Sequence, residues 1–174
     1  MNYVIKTKRF ILRPVRLSDA KSMVANINDK EISRQTLNIP YPYTLRDANK
    51  WLKRKTSYYR KAIPPSIPFA IEIDKKMAGC VDLMHFVPRH KSELGYWLGR
   101  GYRGQGIMTA AVREVVALAF NKLRLKRVYA YTFPANKVSA RVLQKNNFCR
   151  EGVLRNNVVK KGTLLDDVIW AKVK

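Results

Sequence analysis

Two glycines separated by one residue, in Arg103-Gly104-Gln105-Gly106-Ile107-Met108, stand between a short β-like run from Glu93 to Leu98 and a long amphipathic pattern over about 107–122. Glycines opening a helix let a ligand approach the main chain and leave first-turn N–H groups without helical acceptors. Those donors, backed by the positive end of the helix dipole, suit a phosphate group. Residues 103–108, with Thr109 in the first turn, are therefore the candidate anion cradle, and the Arg103 side chain is long enough to add a charge-assisted contact. An ordinary strand-to-helix turn has the same spacing. Glu93 shares a strand face with Gly95 and Trp97 by two-residue alternation, which makes its carboxylate a candidate base. Asp82, on the preceding strand, is its rival, and an ion-paired acid in a basic chain is the plain alternative for either. Asn136 is placed to cap a later helix, on which Ser139 lies one turn before Val142 and Leu143 and faces inward with them. No nucleophile–base pair is evident, so group transfer here implies direct attack by an acceptor.

The elements that must hold these residues read as alternating helices and strands. Tyr3 to Pro14 reads as a first strand, and Leu17-Ser18-Asp19-Ala20 opens a helix with Ser18 as its cap. Loop 39–43, stiffened by Pro40 and Pro42, precedes a helix over about 44–61 that Thr44 can cap and Pro64-Pro65 terminates. Strands come next at about 68–74, 77–86 and 93–98. In the helix of 107–122, Val112, Val115, Val116, Ala119, Phe120 and Leu123 recur on one face. A strand from Arg127 to Phe133, a helix from Asn136 to Asn146 and a hairpin of 150–159 with 163–173 complete the pattern. Asn147 is suited to a left-handed helix end. The expectation is one mixed α/β (α+β) domain over 1–174, its mostly antiparallel sheet of about six to seven strands flanked by about four helices.

At 174 residues with 47% hydrophobic content, the chain is long enough for a full core. It has no run of about 18 apolar residues and no apolar signal core at its start, which points to the cytoplasm and away from membranes. Cys80 and Cys149 form no pairing pattern, and His85 and His90 complete no metal spacing, so no metal is expected. Thirty-five Lys and Arg against 12 Asp and Glu give a net charge of +23. Such excess favours polyanions, RNA above all, and disfavours polycationic acceptors such as polyamines and aminoglycosides. One cluster is Arg46, Lys50, Lys53, Arg54, Lys55, Arg60 and Lys61. Another is Lys122, Arg124, Lys126 and Arg127. Generic solvation accounts equally for both.

The order of motifs resembles the GNAT acetyltransferases, and within them the branch that acetylates N-termini of ribosomal proteins. The resemblance runs over nearly the whole chain. It rests on Arg9-Phe10-Ile11-Leu12-Arg13-Pro14, Ile39-Pro40-Tyr41-Pro42-Tyr43, Gly95-Tyr96-Trp97-Leu98, the Arg103 to Met108 turn and Asn136-Lys137-Val138-Ser139. Met108 departs from the small residue expected there. The resemblance implies acetyl-CoA as co-substrate, its diphosphate held by 103–109 and its pantetheine arm met by the backbone around Trp97, Leu98 and Gly99, where an N–H can polarise the thioester carbonyl. Trp97 as core filling is compatible with that role. It implies Asn136 at the pantetheine, unless the side chain only caps its helix, and Ser139 near the sulfur. Many relatives place a tyrosine where Leu143 stands. Tyr41 and Tyr43 are implied at an acceptor gate, or in a merely structural loop. The implied function is acetyl transfer to a protein N-terminal amine, with ribosomal association as a partner. The alternatives are a small-molecule amine acetyltransferase on the same fold, and a basic RNA- or ribosome-binding module with little catalysis. Presenting a neutral α-amine of pKa about 7.7–8.0 at pH 7 costs only about 1 kcal/mol, against roughly 4–5 kcal/mol for a lysine amine near 10.4. A site with one carboxylate manages the first more easily.

Overall fold

The computed structural model describes residues 3–174. Eight strands form one sheet: β1 (Ile5–Lys6), β2 (Ile11–Pro14), β3 (Ser66–Ile73), β4 (Lys76–Val87), β5 (Lys91–Leu98), β6 (Arg127–Thr132), β7 (Cys149–Lys160) and β8 (Thr163–Val173). Their order across the sheet is β1-β2-β3-β4-β5-β6-β8-β7. All neighbours are antiparallel except β5 and β6. Five α-helices cover the faces: α1 (Ala20–Ile27), α2 (Lys30–Gln35), α3 (Leu45–Tyr58), α4 (Ile107–Asn121) and α5 (Lys137–Gln144). One apolar layer packs Val112, Val115, Val116 and Ala119 of α4 and Leu143 of α5 against Leu83, Leu94, Leu98, Val128 and Trp170. The opposite layer packs Met23 and Ile27 of α1 and Ala48 and Leu52 of α3 against Ala70, Met77, Cys80 and Trp97.

Strand and helix numbers each exceed expectation by a small margin, for local reasons. The single strand expected over Tyr3 to Pro14 is broken by a turn in which Thr7 Oγ1 donates to Phe10 O at 2.7 Å, leaving β1 and β2 as a short hairpin. The six-residue α2 is too short for apolar periodicity to mark it, and Asp29 caps it by accepting from Glu31 N at 2.8 Å. Ser18 does not cap the first helical segment. The Asp19 carboxylate receives Arg16 N instead, while pairing with buried Arg13 at 2.7 Å. Thr44 caps α3 as expected, reciprocally with Asp47. Asn147 takes φ 60° at the end of α5.

Two features shape the region around the helix α2. The long β7–β8 hairpin reaches it through Lys160, whose Nζ donates to Ser33 O, Arg34 O and Thr36 O at 2.6, 2.9 and 2.7 Å. A cation on the last carbonyls of a helix satisfies orphan acceptors and opposes the dipole. On the other side, Tyr43 N donates to Asn28 Oδ1 at 2.9 Å, fixing the loop before α3.

Candidate active site

The turn before α4 has the conformation its glycines allow. Gly104 and Gly106 have φ of 76° and 74°, the left-handed region where a side chain is strained, and Gly106 is the N-cap of α4. A Cβ on either would meet nothing within 4 Å, so the space over the turn is open. Among the described residues, no main-chain N–H from Gly104 to Thr109 finds an intrachain acceptor; the first to do so is Ala110 N, to Gly106 O at 3.0 Å. Ile107 and Met108 point into the core, so only their main chain faces this space and the departure at Met108 costs the turn nothing. Open amides at a helix N-terminus fit a diphosphate.

The Arg103 side chain, expected at the anion, is instead engaged within the protein. Its Nη2 donates to Asp29 Oδ2 at 2.9 Å and its Nε to Leu98 O at 3.1 Å, bracing the turn between α2 and β5. Gln105 Nε2 donates to Gly101 O at 3.1 Å. Arg9, from the first hairpin, donates to Gln105 O at 2.7 Å and brings a further guanidinium to the turn from 96 residues away.

Beside this turn the sheet forks. β5 and β6 pair at Lys91↔Arg127, Ser92↔Val128 and Glu93↔Tyr129, and no further. From Leu94 to Leu98, β5 keeps β4 on one side and has no strand on the other, so its alternate main-chain groups face the gap. The main chain of Trp97 and Leu98, which the resemblance puts at the pantetheine arm, lies on this free edge. Gly99 continues from it, its N–H taken by Ala78 O at 2.9 Å.

Glu93 sits at the apex of the fork. Residue alternation turns Glu93 and Trp97 to the α1–α3 face and Leu94, Tyr96 and Leu98 to the α4–α5 face, as the two apolar layers require. Trp97 is buried in the α1–α3 layer, so its side chain fills core. The Glu93 side chain is 19% exposed, and His85 Nε2 stands 3.7 Å away. Burial raises the Glu93 carboxyl above the ordinary range, with His85 opposing the rise. Tyr129 and Tyr131, packed edge to face at 5.8 Å, share its side of the sheet, and so does Asp167 of β8. Asp167 is buried, accepts from Asn157 Nδ2 at 3.2 Å, and is also raised by burial. Nothing in the periodicity of β6 and β8 singled out these last three residues; their relation to Glu93 comes from the register alone.

Asp82, the rival base, is occupied. Lys55 Nζ lies 2.5 Å from its Oδ2 and donates to Ser66 Oγ at 2.7 Å, with both charged side chains under a tenth exposed. Asp82 Oδ1 is buried without a partner. Lys55 therefore belongs to the interior and leaves the basic surface cluster in which the sequence placed it.

The α4–α5 face carries the other polar group. Asn136 caps α5, its Oδ1 accepting from Ser139 N at 3.0 Å. Ser139 Oγ lies 2.6 Å from the hydroxyl of Tyr96, which belongs to the unpaired stretch of β5. The two candidate catalytic residues thus approach the fork from opposite faces of the sheet. The acceptor loop divides: Tyr41 is 43% exposed with Lys30 Nζ 5.6 Å from its ring centre, whereas Tyr43 is 6% exposed and packs in the α1–α3 layer, its hydroxyl pushed up to about 12 by burial. Tyr43 is a core residue and offers no surface to an acceptor.

Free amides at a helix N-terminus beside a forked sheet, with a carboxylate at the fork, form an arrangement that can hold a phosphate-bearing co-substrate and accept a proton next to it. The family model for the acetyltransferase (GNAT) domain matches residues 9–149, and the chain belongs to that family. It is 30% identical over 173 residues to Probable N-acetyltransferase YjcK of Bacillus subtilis (strain 168), covering 97% of this chain and 96% of that one. It is 25% identical over 142 residues to the ribosomal-protein-serine acetyltransferase of Escherichia coli (strain K12), covering 80% and 78%. Among solved structures, RimL, a ribosomal L7/L12 alpha-N-protein acetyltransferase in complex with coenzyme A, superposes with a TM-score of 0.87 at 20% identity, covering 98% of each chain. The chain is an acetyl-CoA-dependent N-acetyltransferase whose described residues form one GNAT fold.

Proposed function

We propose that the acceptor is the α-amine at the N-terminus of a protein, with ribosomal proteins as the class and the cytoplasm as the place. Acetyl-CoA supplies the activated acetyl group; the chain orients it and handles the protons. The amides of Gly104 to Thr109 hold the diphosphate, and the free edge of Leu94 to Leu98 lines the pantetheine arm. Glu93 receives the proton that the amine loses on attack. The observation carrying this reading is the desolvated Glu93 carboxylate at the apex of the fork, with its proton affinity raised by burial: a weak base of this kind meets the small cost of an α-amine more readily than the larger cost of a lysine amine. Likeness to RimL and to the ribosomal-protein-serine enzyme supports the ribosomal class. No helix of the described residues is long and apolar enough to cross a membrane.

Acetyl transfer monitored by mass spectrometry tests this against intact ribosomes, N-terminal peptides, N-terminally blocked lysine peptides and small amines. N-terminal peptides should exceed the blocked peptides by about a hundredfold or more in kcat/KM, because neutralising the lysine amine costs roughly 3–4 kcal/mol more. A preference for a small amine over every peptide overturns the reading.

Glu93→Gln should lower kcat by about a hundredfold, leave acetyl-CoA affinity unchanged, and remove the acid limb of the pH–rate profile. Since burial raises this carboxyl, the wild-type limb should fall above the ordinary glutamate range. Activity should rise with pH as the carboxyl ionises. An identical profile in the variant reassigns proton removal to water.

Charge supplies a separate expectation. Arg46, Lys50, Lys53 and Arg54 are exposed on α3 without acidic partners among the described residues, and Asp47 is committed to the cap. If this face guides the enzyme to ribosomes, log affinity should fall linearly with log salt, and replacing these four by glutamine should flatten the slope by about three to four. Acetylation of a free peptide should be unchanged. A slope insensitive to the substitutions removes the docking role.

A further inference from the structure

The hydrogen bond between Tyr96 and Ser139 joins the free edge of β5 to α5, beside the fork to which the proposed function brings the thioester. Tyr96 is in the stretch of β5 that has lost its β6 neighbour, and Ser139 is in the first turn of α5. Their oxygens are 2.6 Å apart, and the Tyr96 hydroxyl is 3.3 Å from Ser139 O. The serine is itself fixed: its N–H is held by Asn136 Oδ1, and α5 is tied to α4 through Asn146 Nδ2, which donates to Thr109 O at 3.2 Å and to Val142 O at 2.9 Å. Tyr96 is largely buried, and burial raises its ionisation despite the opposing bond to Ser139, so it remains a neutral phenol. It has one proton to give. Either hydroxyl of the 2.6 Å pair can donate, and the phenol, the stronger acid of the two, is the better donor.

We propose that Tyr96 is a positioning residue for Ser139: its phenol donates to Ser139 Oγ, which leaves the serine proton free to point into the fork at the sulfur of the thioester. In the transfer, the amine nitrogen bonds the acetyl carbon, and the carbon–sulfur bond breaks with its electron pair remaining on sulfur. The amine proton goes to Glu93. The sulfur becomes anionic at that moment, and a donor already aimed at it is strengthened when the charge appears. A serine alone has a rotor with several settings; the phenol removes those that point elsewhere. Two hydroxyls in a chain also polarise one another, so the outer one donates better. Tyr96 therefore acts through Ser139 without touching the reacting atoms. The proposal rests on Ser139 acting at the sulfur.

Free coenzyme A, the product, supplies a readout independent of turnover. Its thiol ionisation on the protein can be tracked by ultraviolet thiolate absorbance against pH. In the wild type the bound thiol should ionise at lower pH than in solution. Tyr96→Phe and Ser139→Ala should each move it up by about one pH unit, equivalent to about tenfold in thiolate stability. The double variant should move it no further than Ser139→Ala alone. Single-turnover acetyl transfer should show the same pattern, with about tenfold loss in each single variant and no hundredfold loss in the double. Acetyl-CoA affinity should be unchanged throughout. Replacing Tyr96 by a ring-fluorinated tyrosine, a more acidic phenol of nearly the same shape, should lower the thiol ionisation and guards against loss of packing in the phenylalanine variant. A shift in Ser139→Ala with none in Tyr96→Phe overturns the proposal while sparing Ser139, as do additive effects. A silent Ser139→Ala removes the role of both residues and leaves the Glu93 reading standing.

Discussion

Acetyl-CoA binding should be lost in Gly106→Glu, with affinity falling at least about a hundredfold. Two effects act together. A residue other than glycine at φ 74° costs about 1–2 kcal/mol of backbone strain. The new carboxylate would also project into the open space over the amides proposed to hold a dianionic diphosphate, where like charge and occupied volume both oppose binding. Gly106→Ala separates the contributions, since it carries the strain without the charge and should lose tenfold at most. Calorimetry measures the affinities directly. Thermal unfolding gives a second reading, because ligand at 100 times its Kd stabilises the wild type by about 2.7 kcal/mol. That stabilisation should vanish in Gly106→Glu, whereas full retention would move the diphosphate site elsewhere.

Parts of this site were legible in the sequence because local rules govern them. The glycine pair requires left-handed backbone, the apolar period of α4 marks the helix that the pair opens, and alternation along β5 assigns Glu93 and Trp97 to one face. Thr44 with Asp47 is a capping pair three residues apart, readable without tertiary knowledge. The rest depends on partners distant in sequence. The Arg103 guanidinium reaches Asp29 across 74 residues, and Ser139 reaches Tyr96 across 43. Both partners are of common type, with no spacing to announce them. Tyr43, unlike Tyr41, has its backbone N–H held by Asn28 and its ring packed in the α1–α3 layer. The fork itself arises from pairing β5 with β6 for three residues and then parting, a matter of twist and register that composition does not encode. Asp167 enters the site by the same route, opposite Leu154 on β7 and one step beyond the last β6–β8 pair.

Lys55→Met should destabilise the protein by about 3–5 kcal/mol at pH 7, because it leaves a buried carboxylate without its counter-charge. The Lys55 ammonium is the counter-charge for Asp82, and the Trp51 and Tyr58 rings lie 5.5 and 5.6 Å from it. Removing it strands a carboxylate whose Oδ1 already has no partner and whose Oδ2 would keep only Ser66, at 3.4 Å. Burial raises the Asp82 carboxyl and Lys55 opposes that rise, so the variant should raise it further. A group whose folded pKa lies above its unfolded value favours folding while protonated and loses that contribution as pH rises through the folded pKa. The deficit in Lys55→Met should therefore shrink as pH falls towards the unfolded carboxyl value near 3.9 and be greatest at neutral pH and above. Lys55→Met combined with Asp82→Leu should recover most of the loss, since replacing both charges by apolar groups of similar volume removes the desolvation cost together with the attraction. Urea unfolding of the two variants and the wild type across pH measures each effect. If Asp82 served as the base, the double variant would also lose acetyl transfer. With Glu93 in that role, it should retain most of it.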